Sequence, residues 1–102
     1  MVARVATFEG INLEAAEQTM EQAEAIIRPM VESLNGYQGR LDLVSGDCKY
    51  ISITFFDTEE NAKASEPTFD EEMPRKLGEI FGSWEGRRVS RDLYDVVSDA
   101  RT

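Results

Sequence analysis

NGYQGRLDLVSGDCKYISITFFDTEENAKAS, from Asn35 to Ser65, is the stretch that decides the fold of this chain. Its β-branched and aromatic residues fall into two runs, Tyr37 to Ser45 and Cys48 to Phe56. Ser45-Gly46-Asp47 separates them, and a glycine there tolerates the positive φ that tight turns use. The stretch therefore predicts a β-hairpin.

The residues before the hairpin predict a strand and a long helix. Val2 to Phe8 is rich in β-forming residues and ends at a glycine, which is typical of a first strand. Asn12 is a good N-cap, and apolar residues then recur every three or four positions from Ala16 to Leu34, the spacing of one helical face. Pro29 removes one intrahelical hydrogen bond, so we expect a bend or a loose last turn there.

The residues after the hairpin predict two helical segments and a last strand. Asp57 offers a side-chain acceptor to the first free amides of a helix, and Glu60 completes a capping-box spacing. We expect a short helix over Thr58 to Ser65, then a helical segment over Thr68 to Phe81 that a proline and a glycine break. Val89 to Val97 has strand composition.

The predicted order is strand, helix, strand, strand, helix, strand, in one domain spanning residues 1–102. This is an α+β, ferredoxin-like βαββαβ pattern: a four-stranded antiparallel sheet with its helices on one face. In the run from Cys48 to Phe56, residues such as Ile53 and Phe55 alternate with Tyr50 and Phe56, so both faces of the strand carry large apolar groups. Since the helices cover one face, we expect a second copy to cover the other, in a homodimer.

Composition excludes several function classes. Twenty acidic residues against 11 basic ones give a net charge of −9, which opposes binding to nucleic acid or to anionic membranes. The chain has no His, so we expect no metal site and no His-activated nucleophile, and the lone Cys48 is expected to be an inert thiol. No apolar segment has the length of a signal peptide or a membrane span, and we expect a cytoplasmic protein.

Three segments together carry a resemblance to a known family. They are the first strand with its following turn, Val2 to Gly10; the helix end and turn, Asn35-Gly36-Tyr37-Gln38-Gly39; and the strand end and helix start, Thr54 to Glu60. The chain resembles the antibiotic biosynthesis monooxygenase-like proteins over nearly its whole length. The resemblance implies a dimeric α+β barrel with a cavity between helices and sheet in each subunit.

The resemblance also implies a chemistry. The best understood members oxidise a polycyclic aromatic substrate with molecular oxygen, without metal or flavin, because the substrate itself supplies the electrons. Other relatives degrade heme, and the lack of His counts against that activity here. The chain has Phe56 where a Trp is frequent in the family, and Thr7 where the oxygenases tend to carry an Asn.

A cofactor-free oxygenase needs an apolar wall for an aromatic ring and a group that takes a proton or stabilises an anion. The aromatic and polarizable residues nearest the predicted helix–sheet seam are Tyr37, Phe56, Met73, Phe81 and Trp84. Ordinary core packing explains the same five residues equally well.

Arginines are the second group of candidates. Arg87, Arg88 and Arg91 stand at the start of the last strand, and an inward guanidinium such as that of Arg91 would bind an enolate or a carboxylate. Salt bridges to the abundant acidic residues are the alternative, and the one we favour. Tyr50 and Tyr94 carry hydroxyls with no assigned role, Asp42 is a candidate for a surface ion pair, and the catalytic residues stay unassigned.

Two hypotheses for function follow. The first is a cofactor-independent monooxygenase acting on a small aromatic or quinol-type compound in the cavity. The alternative is a non-catalytic dimeric module of the same fold that binds a small apolar molecule or has a structural role, and Phe56 and Thr7 in place of Trp and Asn favour it. An ionisable group that faces the cavity would distinguish the two.

Overall fold

The computed structural model describes residues 1–101. Its strands are β1 (Val2–Glu9), β2 (Tyr37–Val44), β3 (Tyr50–Phe56) and β4 (Arg87–Asp95), and its helices are α1 (Leu13–Glu32), α2 (Glu59–Ala64) and α3 (Met73–Trp84). A π-helical turn, Thr68–Glu72, precedes α3. The predicted helical segment is this turn followed by α3, and the change from one to the other falls just before Pro74, which lies in the first turn of α3. The expected break at the glycine is wrong, because Gly78 lies inside α3, which runs three residues beyond the predicted end at Phe81.

The four strands form one antiparallel sheet in the order β2-β3-β1-β4. β3 lies between β1 and β2, and β1 lies between β3 and β4, so each helical connection links two strands that have a third between them. This is the split βαβ topology of a ferredoxin-like sheet, and the fold expected from the sequence is confirmed.

The helix ends show which caps the sequence predicted correctly. Asn12 caps α1, because its side-chain oxygen accepts from the backbone N–H of Ala15 at 3.1 Å. The expected cap at Asp57 is wrong: Thr58 caps α2 by accepting from the backbone N–H of Asn61 at 3.1 Å, while Asp57 accepts from the side chain of Asn61. Both residues offer a suitable oxygen, and the helix begins one residue later than the spacing indicated.

The last strand also differs from expectation. It runs from Arg87 to Asp95 rather than from Val89 to Val97, and its register against β1 shifts between Thr7 and Phe8. Such a β-bulge adds a residue to one strand, which a pattern of alternating residues does not reveal.

The helices pack on one face of the sheet, which we call the inner face. Cross-strand register places four residues of β1 on it: Val2, Arg4, Ala6 and Phe8. The main core joins this face to α1 and α3, and Ile27, Leu77 and Trp84 pack there around Tyr50. A second, smaller cluster of Val2, Phe56 and Ala62 fills the end of the inner face beneath α2.

The opposite face of the sheet, which we call the open face, has no helix on it within residues 1–101. Register places apolar side chains there from three neighbouring strands: Val5, Leu41, Leu43, Ile51, Ile53 and Phe55. Leu43 is 48% exposed, whereas Phe55 is buried, and the guanidinium of Arg101 lies over its ring at 4.2 Å.

Candidate active site

A cavity of about 420 Å³ lies between the inner face of the sheet and the helices α1 and α3. Its wall includes Ala6 and Ser52, which are cross-strand partners on β1 and β3. Because both side chains are small, the middle of the sheet does not fill the space beneath the helices. The alternation of the strands thus leaves room for a ligand.

One side of the cavity is aromatic. Tyr50 meets Phe8 edge-on with ring centroids 5.8 Å apart and meets Trp84 at 5.9 Å, and Phe81 lies 5.1 Å from Trp84. The indole N–H of Trp84 donates to Thr19 at 2.6 Å, which fixes the orientation of the ring. These rings provide a rigid apolar wall of the kind that an aromatic ligand packs against.

The other side of the cavity carries a polar group centred on Asp42. Arg40 pairs with Asp42 at 3.2 Å and also with Glu24 on α1. Asp42 lines the cavity, and its buried Oδ1 makes no hydrogen bond of good geometry within residues 1–101, although the hydroxyls of Ser52 and Tyr50 lie close to the carboxyl group. A buried acceptor without a donor is costly, so this oxygen is suited to a ligand hydroxyl.

The environment of Asp42 tunes it as a proton acceptor. Burial raises the pKa of Asp42 above its ordinary value, although Arg40 and the nearby hydroxyls of Ser52 and Tyr50 oppose the rise. Burial, together with the negative charge of Asp42, also raises the pKa of Tyr50, so its phenol stays neutral. The site therefore pairs a carboxylate of increased basicity with a neutral phenol.

A cluster of charges connects β1 and β4 to the π-helical turn. Arg4 Nε donates to Glu66 at 3.1 Å, and Arg91 also pairs with Glu66. Asp70 accepts from Arg88 at 2.7 Å and pairs with Arg91 at 3.2 Å, and the Arg88 hydrogen bond lowers the pKa of Asp70. Arg4, Asp70 and Arg88 also line the cavity.

The structure brings three of the six predicted site residues to the cavity: Met73, Phe81 and Trp84. The other three lie elsewhere. Tyr37 packs half-buried at the edge of the core, Phe56 is fully buried in the second cluster, and Arg91 forms ion pairs at the surface. The salt-bridge interpretation of Arg88 and Arg91 is the one that the structure shows, although Arg88 also reaches the cavity.

Sequence reasoning missed Arg4, Arg40 and the buried position of Asp42. A signal was available, because Arg4 alternates with Val2 and Ala6 on the buried face of β1, where a charged residue interrupts an apolar row. Within residues 1–101, no cluster of three His, Cys, Asp or Glu side chains has the arrangement of a metal site. Nor is any helix in that range long and apolar enough to cross a membrane.

No protein-family model and no curated protein matches this sequence. Solved structures do match. A protein from Bordetella bronchiseptica, provisionally named an antibiotic biosynthesis monooxygenase, has a TM-score of 0.69 at 16% identity, over 95% of this chain and 97% of that one. A dimeric ferredoxin-like protein from an uncultured marine organism has a TM-score of 0.68 at 10% identity, over 100% of both chains.

SnoaB, a cofactor-independent oxygenase from Streptomyces nogalater, has a TM-score of 0.64 at 10% identity, over 99% of this chain and 97% of that one. At these identities the likeness is one of fold. The chain therefore has the ferredoxin-like α+β fold of the antibiotic biosynthesis monooxygenase-like proteins, as the resemblance in its sequence predicted.

Proposed function

We propose that this protein is a cofactor-independent monooxygenase whose cavity takes a small hydroxylated aromatic or quinol-type compound. The observation that carries the proposal is the Asp42 carboxylate, which lines a cavity that has aromatic rings on its other side and which has capacity for a further hydrogen bond. The fold shared with SnoaB, a cofactor-independent oxygenase, supports the same reaction class.

Asp42 is the proposed general base. A phenolic O–H donates to the Asp42 carboxylate, the O–H bond breaks as the proton moves to that carboxylate, and the electron pair stays on the ligand as a phenolate. The electron-rich ring then reacts with O₂. The reacting atom is a ring C–H carbon ortho or para to the phenolate oxygen. One oxygen atom stays on that carbon as a carbonyl, and the other leaves as water with the hydrogen of that carbon and the proton that Asp42 returns, so the substrate supplies the electrons and becomes a quinone.

Oxygen uptake with a panel of anthrones and hydroquinones tests the proposal. We expect Asp42→Asn to lower the rate about 10²–10⁴-fold, the usual contribution of a general base. Asp47→Asn is the matched control, because it removes the same charge at a position away from the cavity. Asp47 lies in the exposed turn between β2 and β3. If the wild-type protein oxidises no compound of the panel faster than the uncatalysed reaction, the proposed activity is contradicted. The alternative, a non-catalytic binding module, would then remain.

We also propose that the protein is a homodimer joined through the open face. The support is the apolar surface of β2 and β3, where Leu41 and Leu43 are exposed, and the likeness to a protein described as dimeric and ferredoxin-like. Burying such a face removes apolar area from water, the main driving force of association. Light scattering at tens of micromolar tests this, and a monomer there would contradict it.

A further inference from the structure

Arg4 is a buried cation with unused hydrogen-bonding capacity. Although the side chain is charged, it is only 2% exposed and lies among apolar neighbours in the middle of the sheet. Its guanidinium stacks on the ring of Phe69 at 3.9 Å, and its Nε donates to Glu66 at 3.1 Å. Charged side chains are almost never buried this completely unless they are paired, so each of its donors has to be accounted for.

The terminal nitrogens of Arg4 have no acceptor within residues 1–101. A guanidinium carries five N–H donors in a fixed fork, and the bond to Glu66 uses only the one on Nε. The side chain lies on the cavity wall, where an occupant is able to reach it. Its fork matches the two oxygens of a carboxylate, an enolate paired with a second oxygen, or a similar oxyanion.

The local charge also favours an anion. Arg4, Arg88 and Arg91 share only two carboxylates, those of Glu66 and Asp70, which leaves a surplus of one positive charge in a chain whose net charge is −9. Burial lowers the pKa of Arg4, yet a guanidinium stays protonated near neutral pH. An anion at this position would restore balance to the cluster.

Arg4 and Asp42 lie at separate places on the inner face. In the cross-strand register, Thr54 of β3 lies opposite both Arg4 on β1 and Arg40 on β2. Asp42 lies two residues beyond Arg40 along β2. Standard strand spacings place the two backbones about 12 Å apart, with Thr54 and Ser52 of β3 between them. A rigid ligand with a polar group at each end fits this arrangement.

We propose that the cavity selects aromatic ligands that carry an oxyanion, preferably a carboxylate, which Arg4 holds while a hydroxyl at the far end donates to Asp42. The proposal rests on the cavity being the ligand site of the proposed function. It adds a specificity-determining residue and a second functional group on the ligand.

Fluorescence titration of the wild-type protein tests the ligand. The probes are 6-hydroxy-2-naphthoate and 2-naphthol, which share the ring system and the hydroxyl and differ in the carboxylate. We expect the naphthoate to bind about 10- to 100-fold more tightly, the usual effect of a charge-assisted hydrogen bond. Equal affinity would overturn the role of Arg4, whereas no binding of either probe would overturn the cavity as the ligand site and the proposed function with it.

Substitution of Arg4 tests the residue. In Arg4→Gln the preference for naphthoate over naphthol should fall to about one, and in Arg4→Lys it should be intermediate, because a lysine keeps the charge without the fork. Arg75→Gln removes one charge from an exposed position of α3 and should keep the wild-type preference. Retention of that preference in Arg4→Gln, with native circular dichroism, would contradict the proposal; if Arg4→Gln does not fold, Arg4→Lys and the wild-type comparison decide.

Discussion

Thr54 lies at the centre of the inner face, between Arg4 and Arg40 in the cross-strand register, and is fully buried. Its hydroxyl oxygen has no hydrogen-bond partner within residues 1–101. A buried hydroxyl without a partner costs about 1–3 kcal/mol of stability. Valine has nearly the same shape and an equal preference for strands, so Thr54→Val removes this cost without leaving a cavity.

We therefore expect Thr54→Val to raise the free energy of unfolding by about 1 kcal/mol or more. For a domain of this size each kcal/mol corresponds to about 4–8 °C in Tm. Urea unfolding and thermal melts check the effect, and every variant is measured at one protein concentration because association with a second copy would shift Tm.

Thr19→Val is the matched control, because the same chemical change should have the opposite sign there. The Thr19 hydroxyl donates to the carbonyl of Ala15 at 2.8 Å and accepts from the indole of Trp84 at 2.6 Å. Its removal leaves the buried Trp84 N–H without an acceptor and should cost about 1–3 kcal/mol. A Thr54→Val protein that is no more stable than the wild type, beside a destabilised Thr19→Val, would refute the reasoning.

Four further predictions concern a turn, the pH dependence of turnover and of stability, and the open face. Gly36→Ala should cost at least about 1–2 kcal/mol in urea unfolding, because φ is +74° there and because the added Cβ would meet the side chains of Asp57 and Asn61, which must move. Gly46→Ala, with open space around it, should change little. Because burial raises the pKa of Asp42, turnover should fall as pH decreases through that raised value, and Asp42→Asn should lack this limb of the pH profile; an unchanged limb would exclude Asp42 as the base. The raised pKa also means that the contribution of Asp42 to stability is present in acid and is lost as pH rises through the pKa of the folded state. Unfolding of the wild type and of Asp42→Asn, measured across pH, would show this. Leu43→Glu should shift light scattering towards the monomer, and Val97→Glu, which alters an almost fully exposed residue of the C-terminal tail, should not.

The sequence predicted the fold because its signals are local and repeated. Alternation in the hairpin and the helical spacing of Ala16, Ala23 and Ile27 each specify a buried face, and these faces leave few ways to assemble. The errors lie at ends and irregularities, such as the cap at Thr58 and the start of β4 at Arg87. Neighbouring residues compete at such positions with similar energies.

The candidate site was less predictable, because its residues come together only across strands. Asp42 and Arg40 have the composition of a surface pair, and nothing local shows that a cavity lies above them. Aromatic residues were the stronger signal, yet Phe56 fills a second cluster while Trp84 reaches the cavity. Which aromatic residue lines a cavity depends on where small residues leave space, and this is a property of the assembled sheet.

The sheet is a single layer, with the cavity on its inner face and the apolar surface proposed for subunit contact on its open face. On β3, Ser52 faces the cavity while its neighbours Ile51 and Ile53 face outward. A one-residue insertion in this strand would therefore turn cavity-facing side chains to the open face and outward-facing ones to the cavity. If subunit association changes ligand affinity by some factor, the ligand must change the association constant by the same factor. Titrations repeated over a range of protein concentrations would therefore report on both equilibria at once.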